Sequence, residues 1–398
     1  MDMPISISAP VTLFLSLLLS VPLAAGAAAP RARDLGVPFL GTPGRCNSIT
    51  DVRGVEVGHR TLVSGEGPLV VGRGPVRTGV TAVFPAGRDY RGFVPAGVFV
   101  ANGTGELTGR ALIEEVGMFS GPVLLTGTGS VGVARDSVTA WYRRAIGGDP
   151  EQLFPYSLPV VGETYDGFLN DTFGQHVTAE DVFAAMDSAR GGPVEEGSVG
   201  GGTGMMSFAF KSGIGTSSRV LPESSGGYTV GVLVQSNFGA RSHLMVAGVS
   251  VGAAISDDMP VRGSAKEGSI IIVIGTDAPL LPGDLRRLAL RATHGMARTG
   301  GMSGTTSGDI FIAFSTAFPR PAGPGFLQTT YVDPFEMNPL FEATVLATEE
   351  AIINSLVASA SMTGIDGNRV PALPHARLQS LLREHGRLQT PPQPTPCT

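Results

Sequence analysis

At 398 residues with 42% apolar content, the chain can bury the core of one large domain or of two ordinary ones. Only 16% of residues are charged, the net charge is −6, and no basic run stands out. This argues against nucleic acid as a partner, while so mild an acidity selects no other. The 56 Gly and 30 Pro follow no period and alternate with apolar runs, which describes a turn-rich, β-containing globule rather than a disordered chain.

The N-terminus carries an apolar run from Val11 to Ala25, dense in leucine, that ends in Ala25-Gly-Ala-Ala-Ala29 before Pro30 and Arg31. That is the shape of a cleaved export signal over residues 1–29, although its first residues hold Asp2 and no Lys or Arg. A membrane anchor needs about 20 apolar residues, and this run is shorter. The expected location is therefore secreted or periplasmic, with no stable membrane anchor. In an exported chain Cys46 and Cys397 could pair and tie the two ends together; two free thiols near loose termini is the other reading, and both stay open.

In chain order, residues 31–55 read as an irregular lead-in. Short strands are expected at Val55–His59, Val76–Phe84 and Val98–Ala101, the last running into the turn Asn102-Gly-Thr-Gly-Glu106. A helix starts at Arg110. Val123–Leu125 is a buried strand that breaks at Gly127-Thr-Gly-Ser130, with a helix around Ala134–Arg144. Val160 leads a strand into a turn at Gly167. Thr178-Ala-Glu-Asp181 has capping-box form, with Val182, Phe183 and Met186 on one face of the helix that follows. Met205–Phe210 and Tyr228–Val234 read as strands, and residues 256–268 as an exposed polar linker. Asn338-Pro339 starts a long helix with Asn as cap and Pro in first position, running to about Ala360. The proline-rich tail from Thr390 is expected to be disordered.

Chemistry concentrates between Glu267 and Ala317. Ser269 heads the run Ile270-Ile-Ile-Val-Ile274, which reads as a strand buried on both faces. An amphipathic helix follows, marked by Leu285, Leu288, Ala289 and Ala292. Ser307-Gly-Asp309 then heads a second buried strand, Ile310–Phe314. Two hydroxyls and a carboxylate thus come from two strand starts that could lie side by side, although two capped core strands would show the same pattern. Alternating strands and helices predict a layered α/β protein with sheets in the middle.

Other motifs fail. Gly200-Gly-Gly-Thr-Gly204 fits neither the dinucleotide nor the P-loop pattern and reads as a backbone bend. The six histidines are scattered, which disfavours a structural zinc site. No Gly-x-Ser-x-Gly elbow joins a strand to a helix. No metal and no cofactor is expected.

Taken in order, a set of segments resembles the DmpA-type self-processing aminopeptidases, the family of L-aminopeptidase/D-esterases and β-peptidyl aminopeptidases. The segments include Asp51-Val-Arg-Gly-Val-Glu-Val-Gly-His59, Asn102-Gly-Thr-Gly-Glu106, Gly162-Glu-Thr-Tyr-Asp-Gly-Phe-Leu-Asn-Asp171 and Gly200–Gly204. They continue with Lys211-Ser-Gly-Ile-Gly215, Asn237-Phe-Gly239, Gly268–Ile274 and Thr276-Asp-Ala-Pro-Leu280. No one segment is specific; the ordered set, spanning nearly the whole mature chain, is.

The resemblance implies an αββα sandwich and a precursor that cuts itself at Gly268–Ser269. One domain would then consist of two chains, 30–268 and 269–398. It implies Ser269 as nucleophile and new N-terminus, Asn237 as oxyanion donor, and Ser307 with Asp309 as the pair that orients the nucleophile. Glu163 would receive the ammonium group of the substrate. The expected substrates are short peptides, amides or esters with a free N-terminal amine, and processed units would assemble into homo-oligomers, up to tetramers. Family members often carry Glu where Asp309 stands and Asn where Thr104 and Gly127 stand, differences that bear on substrate preference. The alternatives are an acyltransferase of ornithine-acetyltransferase type, which typically uses Thr as nucleophile, and an inactive secreted binding protein.

Overall fold

The computed structural model describes residues 29–260, 268–318, 320–323, 325–393 and 397. The expected export signal and most of the expected cleavage linker therefore lie outside the described residues. The first half contains β1 (Glu56–Ser64), β2 (Val76–Phe84), β3 (Phe93–Gly103), α1 (Arg110–Val116), β4 (Met118–Ser120), β5 (Val123–Gly127) and α2 (Val131–Ile146). Next come α3 (Pro150–Leu153), β6 (Val160–Thr164), α4 (Ala179–Asp187), β7 (Met206–Ser207), β8 (Phe210–Lys211), β9 (Ile214–Val220), β10 (Thr229–Asn237) and α5 (Val251–Ala254). After the linker follow β11 (Ser269–Thr276), α6 (Pro282–Arg298), β12 (Gly308–Ser315), α7 (Asn338–Val357) and α8 (His375–Glu384).

Two large sheets are stacked between helices. One has the order β1-β2-β5-β6 and the other β4-β3-β12-β11-β10-β9. β11 shows why an unbroken apolar run is needed at the centre. Ile270, Ile272 and Ile274 pack with Leu285 and Leu288 of α6 and Ile352 and Leu356 of α7. Ile271 and Val273, pointing the other way, pack with Leu125 of β5 and Val160 of β6 in the layer between the sheets. Alternate side chains thus face a helix layer and the opposite sheet, so neither face tolerates polarity. Each such buried side chain contributes roughly 1.5–3 kcal/mol. The outer face of the smaller sheet is covered by α2 and α4 through Val138, Val182 and Met186. The αββα expectation holds.

The structure corrects several local expectations. Met205–Phe210 is not one strand. Phe208 and Ala209 both have positive φ, 53° and 56°, so the segment folds back as the hairpin β7–β8. β9 reads as Gly, Ser and Thr rather than as an apolar run, and its hydroxyls are spent inside the core. Thr216 Oγ1 donates to Val232 O, Ser217 Oγ to Ala347 O and Ser218 Oγ to Asp51 Oδ2. α7 begins one residue earlier than expected, with Met337 as cap and Pro339 in second position, and ends at Val357. Gly200–Gly202 form a tight buried turn; a Cβ on Gly201 would lie 2.1 Å from Gln235 Oε1.

The lead-in is also more ordered than its composition predicts. Arg33 and Arg219 both donate to Glu350, which is fully buried in α7. Arg31 pairs with Glu196 at 2.6 Å. Cys46 and Cys397 form a disulfide, which fastens the expected disordered tail to the lead-in. Among the described residues no helix is long and apolar enough to cross a membrane.

Candidate active site

Ser269 is the first residue of β11 and lies between two neighbours. Across the antiparallel ladder it faces Asn237, the last residue of β10. On its other side the parallel partner strand β12 brings Asp309 opposite Ile270. The two strand starts inferred from sequence are therefore adjacent. Ser269 Oγ accepts the backbone N–H of Gly308 at 3.0 Å. The turn before β12 is drawn close by Asn102, whose side chain donates to Gly304 O at 2.8 Å and also to Ser307 O. Gly105 is required there, because a Cβ would come within 2.9 Å of Gly308 Cα.

Ser307 Oγ lies 2.5 Å from Asp309 Oδ1 and also contacts the carbonyl oxygen of Gly268. One hydroxyl carries one proton, so Ser307 donates to one of these acceptors at a time. Asp309 and Ser307 are buried, at 1% and 2% exposure. The Asn237 carboxamide is held at both ends. Its Oδ1 accepts Met206 N at 2.9 Å, and its Nδ2 donates to Tyr165 O at 3.0 Å. Nδ2 has a second hydrogen to donate and lies beside Gly268, where a Cβ would sit 3.0 Å from it.

Glu163 comes from the other sheet. β6 crosses β11 so closely that a Cβ on Gly162 would meet Ile271 at 3.0 Å. The next residue, Glu163, near the end of β6, lines the cleft that Ser269 also lines. Burial pushes its carboxyl above the ordinary carboxylate range; bonds from the Thr128 hydroxyl and from Glu106 N, at 3.0 Å, offset only part of that shift. The cleft has a volume of about 470 Å³ and is walled by Glu163, Tyr165, Phe168, Met206, Asn237 and Ser269, among others.

Of the residues singled out in the sequence, Glu163, Asn237, Gly268 and Ser269 thus line one cleft, and Ser307 and Asp309 lie buried behind it, linked to the Gly268 carbonyl through the Ser307 hydroxyl. The arrangement offers a hydroxyl, amide donors for a developing oxyanion, a hydroxyl–carboxylate pair and a recessed acid for a cation. Sequence reasoning missed Thr128 and the N–H groups of Gly308 and Met206. Thr128 stood in the Gly127–Ser130 break after a strand, a position that could have singled it out. Backbone donors leave no trace in side-chain identity.

Comparison with known proteins agrees with this geometry. Residues 47–370 match peptidase family S58. Beta-peptidyl aminopeptidase BapA of Sphingosinicella xenopeptidilytica is 49% identical over 393 residues, covering 94% of this chain and 96% of that protein. A solved β-aminopeptidase of a Burkholderia species has 46% identity and a TM-score of 0.82, over 90% of this chain and 99% of that one. The L-aminopeptidase D-Ala-esterase/amidase of Ochrobactrum anthropi has 43% identity and a TM-score of 0.81, with coverage of 90% and 99%. That structure is described as a prototype of the serine aminopeptidases and a variant of the Ntn hydrolase fold. Neither the acyltransferase nor the inactive-binder alternative finds support among these relatives. With most of its length matched and relatives at this identity, the chain belongs to peptidase family S58, as an aminopeptidase of N-terminal-nucleophile hydrolase fold.

Proposed function

We propose that the chain cuts itself at Gly268–Ser269 and then removes N-terminal residues from short peptides, amides or esters through an acyl-enzyme on Ser269. In the first step Ser269 Oγ attacks the Gly268 carbonyl carbon. The C–N bond breaks, the hydroxyl proton passes to the leaving α-nitrogen, and an ester remains. Water hydrolyses that ester, leaving a carboxylate on Gly268 and a free amine and hydroxyl on Ser269. The Ser307 hydroxyl, in contact with Gly268 O, supports this step by donating to the oxygen as charge develops.

In turnover the same hydroxyl attacks the substrate carbonyl. The new α-amine, with an ordinary pKa of about 7.7–8.0, takes the proton and later returns it to the leaving amine. The free N–H of Asn237 meets the oxyanion, Ser307 and Asp309 orient the nucleophile, and Glu163 receives the substrate ammonium. The observation that carries this reading is that Ser269 opens its strand directly between Asn237 and the Ser307–Asp309 pair. Export belongs to the same proposal, supported by the leader's composition and by the Cys46–Cys397 bond, which suits an oxidising compartment. So does assembly of processed units into a homo-oligomer, which sedimentation measures directly.

The test is a reducing gel with N-terminal sequencing. Two fragments are expected, the smaller starting at Ser269, together with release of product from aminoacyl amides. Ser269→Ala is expected to abolish both cleavage and turnover. Retained turnover in that variant would remove Ser269 from the mechanism.

A further inference from the structure

Lys211 is fully buried at the end of the β7–β8 hairpin. Its ammonium donates to Met205 O at 2.7 Å and to Ser212 O at 2.5 Å. No charged neighbour contributes to its titration, and burial alone lowers its pKa to about 7, so the ammonium form is present below that pH and is given up as pH rises through it. A buried cation held only by carbonyls is costly to keep, and a methionine of similar length would fill the same space without a charge. Capping the hairpin explains only part of the arrangement, because Met205 O already accepts Ser212 N at 3.2 Å.

The remaining observation is where the Met205 carbonyl leads. Met205 C=O and Met206 N–H are two ends of a single planar peptide group. Met206 N donates to Asn237 Oδ1 at 2.9 Å. Oδ1 and Nδ2 of Asn237 are in turn two ends of a single carboxamide, and Nδ2 lies beside Gly268. A positive charge at the oxygen of an amide draws density away from its nitrogen and makes the N–H a stronger donor. In a dry site such bonds polarise one another in series.

We propose that Lys211 is a positioning residue. Its ammonium acts through the Met205–Met206 peptide and the Asn237 carboxamide to orient and strengthen the N–H that meets the oxyanion. The inference rests on the reading of Asn237 as oxyanion donor. It adds a charge that never touches substrate and stabilises only the state in which the oxyanion exists. Its signature is therefore a loss in kcat with KM unchanged.

The test uses Lys211→Met, which removes the charge at similar volume, and Lys211→Gln, which retains a neutral donor. Asn237→Ala is the control for the underlying reading. Each is assayed as the processed enzyme on an aminoacyl p-nitroanilide, and binding is measured for two probes. One is an aminoalkyl boronic acid, which forms a tetrahedral anionic adduct with a serine hydroxyl; the other is the matching amine, which forms none. Removal of a direct oxyanion donor lowers kcat by about 10²–10³. A charge relayed through two amides, at roughly 10–30% strengthening per bond, is expected to account for a share of about fivefold. Both lysine variants should lose that factor in kcat and in boronate affinity, with KM and amine affinity within about twofold.

Unchanged kcat and boronate affinity in a folded lysine variant, with Asn237→Ala impaired, overturns the inference. So does equal weakening of both probes, and so does failure of both lysine variants to fold while Asn237→Ala folds. Unimpaired kcat in Asn237→Ala is a different failure, that of the oxyanion assignment itself.

Discussion

Replacing Glu163 with glutamine keeps the side chain's shape and removes its charge. The local hydrogen bonds survive the change. The amide oxygen can still accept Glu106 N, and the amide nitrogen can donate to the Thr128 hydroxyl, which reverses its role. A charge-assisted bond to the substrate ammonium is worth about 1.5–3 kcal/mol and a neutral one about 0.5–1.5 kcal/mol. The difference, roughly 1–2 kcal/mol, predicts a 5–30-fold fall in kcat/KM for aminoacyl p-nitroanilides with a free amine. Stability should move the other way. Burial raises the Glu163 pKa, so the ionised group detracts from folding at neutral pH, and glutamine should leave the melting temperature unchanged or higher. The same raised pKa sets the pH profile. Ammonium binding is available above it and is lost as pH falls through it. The Ser269 α-amine sets an acid limb in both proteins; below it, wild-type kcat/KM should steepen through a second limb already above the ordinary carboxylate range, and Glu163→Gln should lack that second limb. The assay is kcat/KM against pH on free-amine and N-acetylated substrates. A variant within twofold of wild type that keeps the second acid limb would refute the reasoning.

Glu350→Gln removes the anion shared by Arg33 and Arg219 in a fully buried setting, and should cost about 3–5 kcal/mol, read as a lowered denaturation midpoint. Burial opposes ionisation of Glu350, but the bond from Arg33 and the charge of Arg219 overcome it and hold the pKa below the ordinary range. The contribution is complete above the unfolded-chain pKa and disappears as pH falls through the lowered folded value, a loss that wild type should show in acid titration and the glutamine variant should not. The Cys46–Cys397 bond spans the Gly268–Ser269 junction, so fully processed protein should run as one species on a non-reducing gel and as two after reduction. Two species without reductant would show that the thiols are unpaired.

The central layers were legible because β11 and β12 are apolar on both faces, and only strands sandwiched between a helix layer and a second sheet require that. The candidate site was legible for a different reason: its members stand at or next to strand ends, and Glu163, Asn237 and Ser269 fall within segments that resemble the family. β9 escaped because its hydroxyls are satisfied by partners distant in sequence, such as Asp51 and Ala347, which no local pattern announces. The β7–β8 hairpin escaped because its turn sets Phe208 and Ala209 in a backbone region that sequence normally reserves for glycine or asparagine. Lys211 was visible as a residue but not as a buried charge, since its depth depends on the strands and loops that close around it.

The order of the larger sheet has a consequence for what the molecule becomes after a cut at Gly268–Ser269. β12 and β11 of the second chain lie between β3 and β10 of the first, so the two chains would interleave within a single sheet rather than meet at a surface. Separating them and unfolding them would then be the same event. The precursor folds as one body at a rate independent of concentration, whereas mature chains lacking a tether would have to find each other again, and dilution would make denaturation one-way. The bond between Cys46 and Cys397 would restore a single covalent body, so that reductant alone would decide whether heat damage can be undone.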